Sequence, residues 1–341
     1  MFVSRQITNA VCFVCEGADG KYIPRGTAFF MGIPIPGDPG GRLMGVVVTA
    51  LHVIWKIEEK QHQIFLRVNT QDGGFDYVEM PFSEWSRPDH SDGIVDAAAC
   101  YFPHDNIQKF DFKFFGEEHI ATSELMAAED IGIGDEVYLA GLFVSHAGQG
   151  RNEPIVRSGT IAAMPAEEVL TTQGYMRAYL IESRSVGGLS GSPVFVDVSL
   201  YRQDSNGRIQ LRGSNQTAWY LIGLIRGHWD ATDSLPFRSD YSSETDFNVP
   251  AEDGAMDERD ERVNMGIAIV TPIERVLPLI HDAAQRMATA QDAISDLSAD
   301  EKARAVPNGL LTERIEKIED ARAREATQRT FDELQRRSYE R

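Results

Sequence analysis

Along the first 275 or so residues the chain alternates short apolar runs with polar, turn-forming clusters. The runs include AVCFVC (10–15), GTAFFMG (26–32), MGVVVTA (44–50), QIFLRV (63–68), DEVYLAGLFV (135–144), RAYLIE (177–182), SPVFVDV (192–198), WYLIGLI (219–225) and MGIAIV (265–270). They are rich in Val, Ile, Phe and Tyr, and clusters such as IPIPGDPGGR and RQDSNGR separate them. Runs of that length and composition, bounded by Gly, Pro, Asp and Asn, predict strands. Many short strands without regular intervening helices predict an all-β barrel or sandwich.

The period changes after Val270. Ile273, Val276, Ile280, Ala283 and Met287 recur at steps of three and four, which is one face of a helix. Ser298 and Glu301 then match a capping box. Pro307 and Gly309 interrupt the pattern, and the remainder is dense in Glu, Arg and Ala and reads as an exposed helix. The stretch from about 229 to 263 is polar and acidic and reads as a long surface loop.

Composition narrows the function. With 42% hydrophobic residues in 341, the chain can bury a substantial core. A formal net charge of −19 repels a phosphate backbone, so nucleic acid is not an expected partner. No segment is long and apolar enough to span a bilayer, so no membrane is expected. The first residues lack the basic start and long apolar run of a secretory leader. Three cysteines, Cys12, Cys15 and Cys100, do not make a disulfide framework, and a cytoplasmic setting is expected. Cys12 and Cys15 form a lone CxxC on a predicted strand, with no second pair to complete a metal site. They read as small packing residues. His90, with Asp89 and Asp92, reads as a solvated turn in preference to a cation site.

Three segments carry chemistry. In VVVTALHV an apolar strand runs into His52; in GIVDAAACYF Asp96 precedes small residues entering a strand; in SVGGLSGSPVF Ser190 sits in a glycine-rich turn before a strand. A serine hydroxyl needs a neighbouring base to act as a nucleophile near neutral pH, and histidine has the right basicity. A carboxylate holds the imidazole in the useful tautomer and stabilises the imidazolium. Backbone N–H groups of Gly188 and Ser190, in a turn that glycine permits, can face a developing oxyanion. Asp92, four residues before Asp96, competes for the third position. Asp96 is preferred because strand residues follow it directly.

The order His, Asp, Ser and these local segments resemble the trypsin/chymotrypsin family of serine peptidases, in its bacterial, non-zymogen form. Asp96 follows His52 by 44 residues and Ser190 follows Asp96 by 94, similar to the family. YLIGLIRGHW resembles the strand that pairs with the substrate backbone, and MGIAIVTPIERV resembles the last strand and the start of the closing helix. The resemblance implies two packed six-stranded antiparallel β-barrels (chymotrypsin-like), mainly β, with a C-terminal helical extension. Residues 1–115 would carry His52 and Asp96, residues 116–275 Ser190, and residues 276–341 form a helical tail that packs on the second barrel or reaches a protein partner. It implies a serine endopeptidase that hydrolyses a protein or peptide substrate through an acyl-enzyme and requires no cofactor or metal. The alternative is a catalytically silent or partner-gated binding or scaffold protein on the same fold. By the same resemblance Arg184 forms the floor of the substrate pocket, and Arg226, Gly227, His228 and Gly266 its walls. Two arginines there would disfavour Lys or Arg side chains and favour acidic ones; the alternative is that Arg184 turns away and pairs with Glu182 or with the acidic 229–263 loop. The chain departs from the family at Leu51 (usually small), at Ser192 (usually glycine) and at Leu189. Leu189 stands where zymogen members carry an aspartate that pairs with a freshly cleaved N-terminus, so maturation by that route is not expected.

Overall fold

The computed structural model describes residues 4–35, 43–89, 93–102, 107–171, 174–183, 188–198, 201–203, 208–211, 218–230 and 264–295. Arg184, His90, Asp92, the acidic stretch 231–263, the Ser298–Glu301 cap and the tail from 296 onward lie outside these residues.

A short helix α1 (Arg5–Asn9), capped by the Ser4 hydroxyl, leads into β1 (Val11–Ala18) and β2 (Lys21–Pro34). The two are joined by Asp19 and Gly20 at φ 52° and 72°, a two-residue turn whose left-handed residues suit the strand twist. There follow β3 (Leu43–Thr49), helix α2 (Leu51–Glu58), β4 (Gln63–Asn69), β5 (Phe75–Glu79), β6 (Ala98–Tyr101) and the short β7 (Phe115–Gly116). The order in the sheet is β5-β4-β1-β2-β3-β6, antiparallel throughout, with β7 added parallel to β2. The edge strands share no ladder. The chain itself carries from β5 round to β6, where Ser86 exchanges two backbone bonds with Ala99, 2.7 and 3.1 Å. The apolar runs are continuous because both faces are covered: Ala28 to Met31 and Val46 to Val48 are fully buried.

The chain crosses to the second unit between Gly116 and Ile120, where Ala121 N donates to Leu221 O at 2.9 Å. The second unit begins with α3 (Ser123–Ala128) and β8 (Glu136–Gly141), then β9 (Ile155–Ala163), the hairpin β10 (Glu168–Thr171) and β11 (Gly174–Arg177), and β12 (Tyr179–Glu182). It continues with β13 (Pro193–Asp197), the hairpin β14 (Tyr201–Gln203) and β15 (Ile209–Leu211), β16 (Trp219–Asp230) and β17 (Asn264–Pro272). Six of these close into a barrel in the order β12-β17-β16-β13-β8-β9. The architecture is thus mainly β and chymotrypsin-like, a seven-stranded sheet packed with a closed six-stranded antiparallel barrel, with a C-terminal helix.

That helix, α4 (Ile273–Ser295), buries Ile273, Val276, Ile280 and Ala283, the residues whose spacing predicts it. It rests chiefly on β3 and β6 of the first unit, and Asp282 accepts from the Ser86 hydroxyl at 2.6 Å. It also touches β16 and β17 of the second unit, and the rest of the expected helical tail lies outside the described residues. The units share one interior, with Phe115 of β7 packed edge-on against Phe195 of β13, ring centroids 4.9 Å apart.

Candidate active site

β3 and β6 pair so that Thr49 stands opposite Ala98. His52 lies three residues past Thr49 and Asp96 two residues before Ala98, so strand register alone brings them together. α2 starts immediately after β3, and Leu51, Ile54 and Ile57 bury its inner face while His52 stays partly accessible. Leu51, a departure from the family pattern, is a core residue, 2% exposed.

Asp96 is 2% exposed. Its Oδ1 accepts the backbone N–H of His52 at 2.9 Å, and its Oδ2 lies 2.7 Å from His52 Nδ1. An ionised carboxylate only accepts, so this contact puts the ring proton on Nδ1 and leaves Nε2 as a base. Burial pushes the Asp96 carboxyl up, but the His52 hydrogen bonds and the nearby charges of His52 and Arg226 outweigh it and hold the group below the ordinary carboxylate value. His52 Nε2 faces Ser190 Oγ at 3.1 Å, and Ser190 Oγ also lies 3.1 Å from the Arg226 carbonyl. One hydroxyl proton therefore faces two acceptors at equal distance.

The nucleophile turn is pinned on several sides. Ser190 O accepts from Thr27 N of β2 at 2.9 Å, Gly191 N donates to Ile225 O at 2.7 Å, and Ile225 N donates to Ser192 O at 2.8 Å. Gly188 and Gly191 hold φ of 97° and 87°. A Cβ on Gly191 would meet Thr27 O at 2.1 Å, so only glycine permits this approach. Leu189 is fully buried in the second core, where hydrocarbon packing anchors the turn at the position of the zymogen aspartate.

Among the pocket residues, Arg226 is 8% exposed, and its Nε lies 3.6 Å from Asp96 Oδ2. Its carbonyl, not its side chain, faces Ser190. A burial penalty for Asp96 explains the pairing, since a buried carboxylate needs a cation or donors. Among the described residues, a Cβ at Gly227 or Gly266 would meet nothing within 4 Å. His228 lies on β16 opposite Ala268 of β17.

Sequence reasoning passed over Thr27, fully buried and bonded to both Gly188 and Ser190. Its signal was a hydroxyl at the head of a wholly buried apolar run, a position that demands hydrogen-bond partners. The thiols of Cys12 and Cys15 are free and buried; burial pushes Cys15 up to about 12 and Cys12 well above its ordinary value, as packing residues would be. Among the described residues no cluster of His, Cys, Asp and Glu has the makings of a metal site, and no helix is long and apolar enough to cross a membrane.

A seven-stranded sheet and a closed barrel, with Ser, His and Asp converging where they meet, define a trypsin-like fold. Two solved structures are similar to it. One is the apo crystal structure of the MamO protease domain from Magnetospirillum magneticum, 13% identical, covering 80% of this chain and 97% of that one, TM-score 0.46. The other is the crystal structure of Deg5, 14% identical, covering 65% and 81%, TM-score 0.40. No family model and no curated protein matches the chain.

Proposed function

We propose that this chain is a trypsin-like serine endopeptidase with His52, Asp96 and Ser190 as its triad. The observation that carries the reading is the unbroken run of contacts from Asp96 Oδ2 through the His52 ring to Ser190 Oγ, 2.7 and 3.1 Å. Ser190 Oγ attacks the peptide carbonyl carbon while its proton passes to His52 Nε2. The carbonyl π pair moves to oxygen, where the N–H groups of Gly188 and Ser190 donate. His52 then gives the proton to the departing amine nitrogen, the C–N bond breaks, and an acyl-enzyme remains. Water, deprotonated by His52 in turn, hydrolyses the ester. Asp96 keeps its negative charge throughout and stabilises the imidazolium. Gly227 and Gly266 leave room for a substrate side chain beside the nucleophile.

A fluorophosphonate probe is expected to modify the full-length protein at Ser190, located by peptide mass spectrometry. Ser190→Ala abolishes labelling, and His52→Ala slows it by several orders of magnitude, because the triad acts as a unit. Labelling that persists in Ser190→Ala rejects the assignment. A parent protein that never labels favours a binding protein on this fold.

A further inference from the structure

All the polar backbone and side-chain atoms of Thr27 are committed. Its N–H donates to Ser190 O (2.9 Å), its hydroxyl donates to Gly188 O (2.8 Å) and accepts from Leu142 N (2.8 Å), and its carbonyl accepts from the Thr49 hydroxyl (2.6 Å). One residue of the first unit thus grips two carbonyls of the nucleophile turn on the second, the residue after β8, and the end of the strand that delivers His52. It is fully buried.

Gly188 is the turn residue that most needs such a grip. A glycine adopts either sign of φ with nearly equal ease, so its own geometry does not dictate how the turn runs on into Ser190. At φ 97° the orientation has to be imposed from outside. Two things impose it. The Thr27 hydroxyl holds the carbonyl, and Leu142 and Val144 crowd the other side, where a Cβ would lie 3.1 and 2.9 Å from them. The Leu142 contact is itself fixed by the bond from Leu142 N to the same hydroxyl.

We infer that the Thr27 hydroxyl is a positioning group: by holding the Gly188 carbonyl it fixes the 188–189 peptide and, together with the Thr27 N–H on the Ser190 carbonyl, the seat of Ser190, its hydroxyl and its N–H. This rests on the peptidase reading above, and it concerns one side chain on which that reading does not depend.

The test compares Thr27→Val, which keeps the shape and removes the hydroxyl, with Thr27→Ser, which keeps the hydroxyl, in the full-length chain. Acylation is followed with p-nitrophenyl acetate, and amide exchange with deuterium is followed in the peptide spanning the nucleophile turn. Removing one oxyanion donor typically lowers kcat by about 10²–10³. Thr27→Val is expected to lose about tenfold or more of that, in kcat with KM little changed, and Thr27→Ser to regain most of it. Exchange in the turn should rise about tenfold in the valine variant and not in the serine one. A valine variant that keeps its rate and its exchange protection overturns the inference, as does a serine variant no better than valine. If the parent has no esterase activity, the peptidase reading falls, and the exchange comparison still decides whether the hydroxyl holds the turn. If Thr27→Val does not melt cooperatively, Thr27→Ala takes its place. Failure of both to fold, with Thr27→Ser intact, also overturns the inference, since the hydroxyl would then support the fold and not the seating of Ser190.

Discussion

Replacing Gly141 by alanine tests whether the nucleophile turn is packed as described. Ser192 stands where the resemblance leads one to expect glycine, and it is fully buried with no hydrogen bond to its hydroxyl among the described residues. The space it fills is opened by Gly141 at the end of β8: a Cβ there would lie 1.9 Å from Ser192 Oγ, 2.9 Å from Thr27 Oγ1 and 3.0 Å from Leu189 Cδ2. Overpacking a rigid core in this way costs about 1–3 kcal/mol. Ser192→Gly removes the obstructing hydroxyl, and the desolvation it relieves, about 1–3 kcal/mol, offsets the backbone entropy of a new glycine. The two sites are therefore coupled. Gly141→Ala should cost about 1–2 kcal/mol less on the Ser192→Gly background than in the parent, within the roughly 0.5–3 kcal/mol found for residues in direct contact, and the double variant should be more stable than Gly141→Ala alone. It should not regain parent stability, because the contacts with Thr27 and Leu189 remain. Reversible urea unfolding of the four proteins closes the cycle. Effects that add within about 0.3 kcal/mol would mean that Ser192 is not lodged against Gly141, and would refute the packing argument.

Arg226→Gln removes a positive charge 3.6 Å from Asp96 Oδ2, leaving more of the carboxylate's field acting on His52. The acid limb of the pH–rate profile for ester hydrolysis is expected to move to higher pH, and an unmoved limb would show that the guanidinium does not act on the triad. Glu16 is 2% exposed beneath Arg25, Lys60 and His62. Burial pushes its carboxyl up, but the bonds from His62, Lys60 and Arg25 prevail and bring it to about 2, from 4.5. A carboxylate depressed in the folded state stabilises fully above its unfolded value and loses that contribution as pH falls through the folded one. Glu16→Gln should therefore flatten the loss of urea stability between about pH 5 and about pH 3; a variant as acid-sensitive as the parent refutes the role of the pairing.

The triad was legible because each member sits at the end or mouth of a strong apolar run, where sequence pattern is most informative. The Thr49–Ala98 pairing then converts a separation of 44 residues into a contact of 2.7 Å. The choice of Asp96 over Asp92 rested on the strand that follows it, and Asp96 is the carboxylate that reaches His52. What pattern alone does not carry is direction. The spacing in α4 shows an apolar face but not which unit it covers. In β16 the sequence places Arg226 near the nucleophile but not which way its long side chain turns, and the buried charge of Asp96 decides that. Thr27 was hidden for a related reason: strand propensity treats a buried threonine as ordinary, and only its partners, 115 and 161 residues away, give it a task.

Thr27 and Arg226 also cross the seam between the units in opposite directions. Thr27, on the first unit, holds the turn that carries Ser190; Arg226, on the second, reaches back to Asp96. Small residues allow the approach: a Cβ on Gly26 would meet the Ser190 carbonyl at 3.2 Å, and one on Gly191 the Thr27 carbonyl at 2.1 Å. Bonds of 2.8–2.9 Å at this seam leave no slack for the units to dock in a neighbouring register. Alignment of the triad and docking of the units are then one equilibrium. The aromatic contact between Phe115 and Phe195 joins the same two units and adds to that docking.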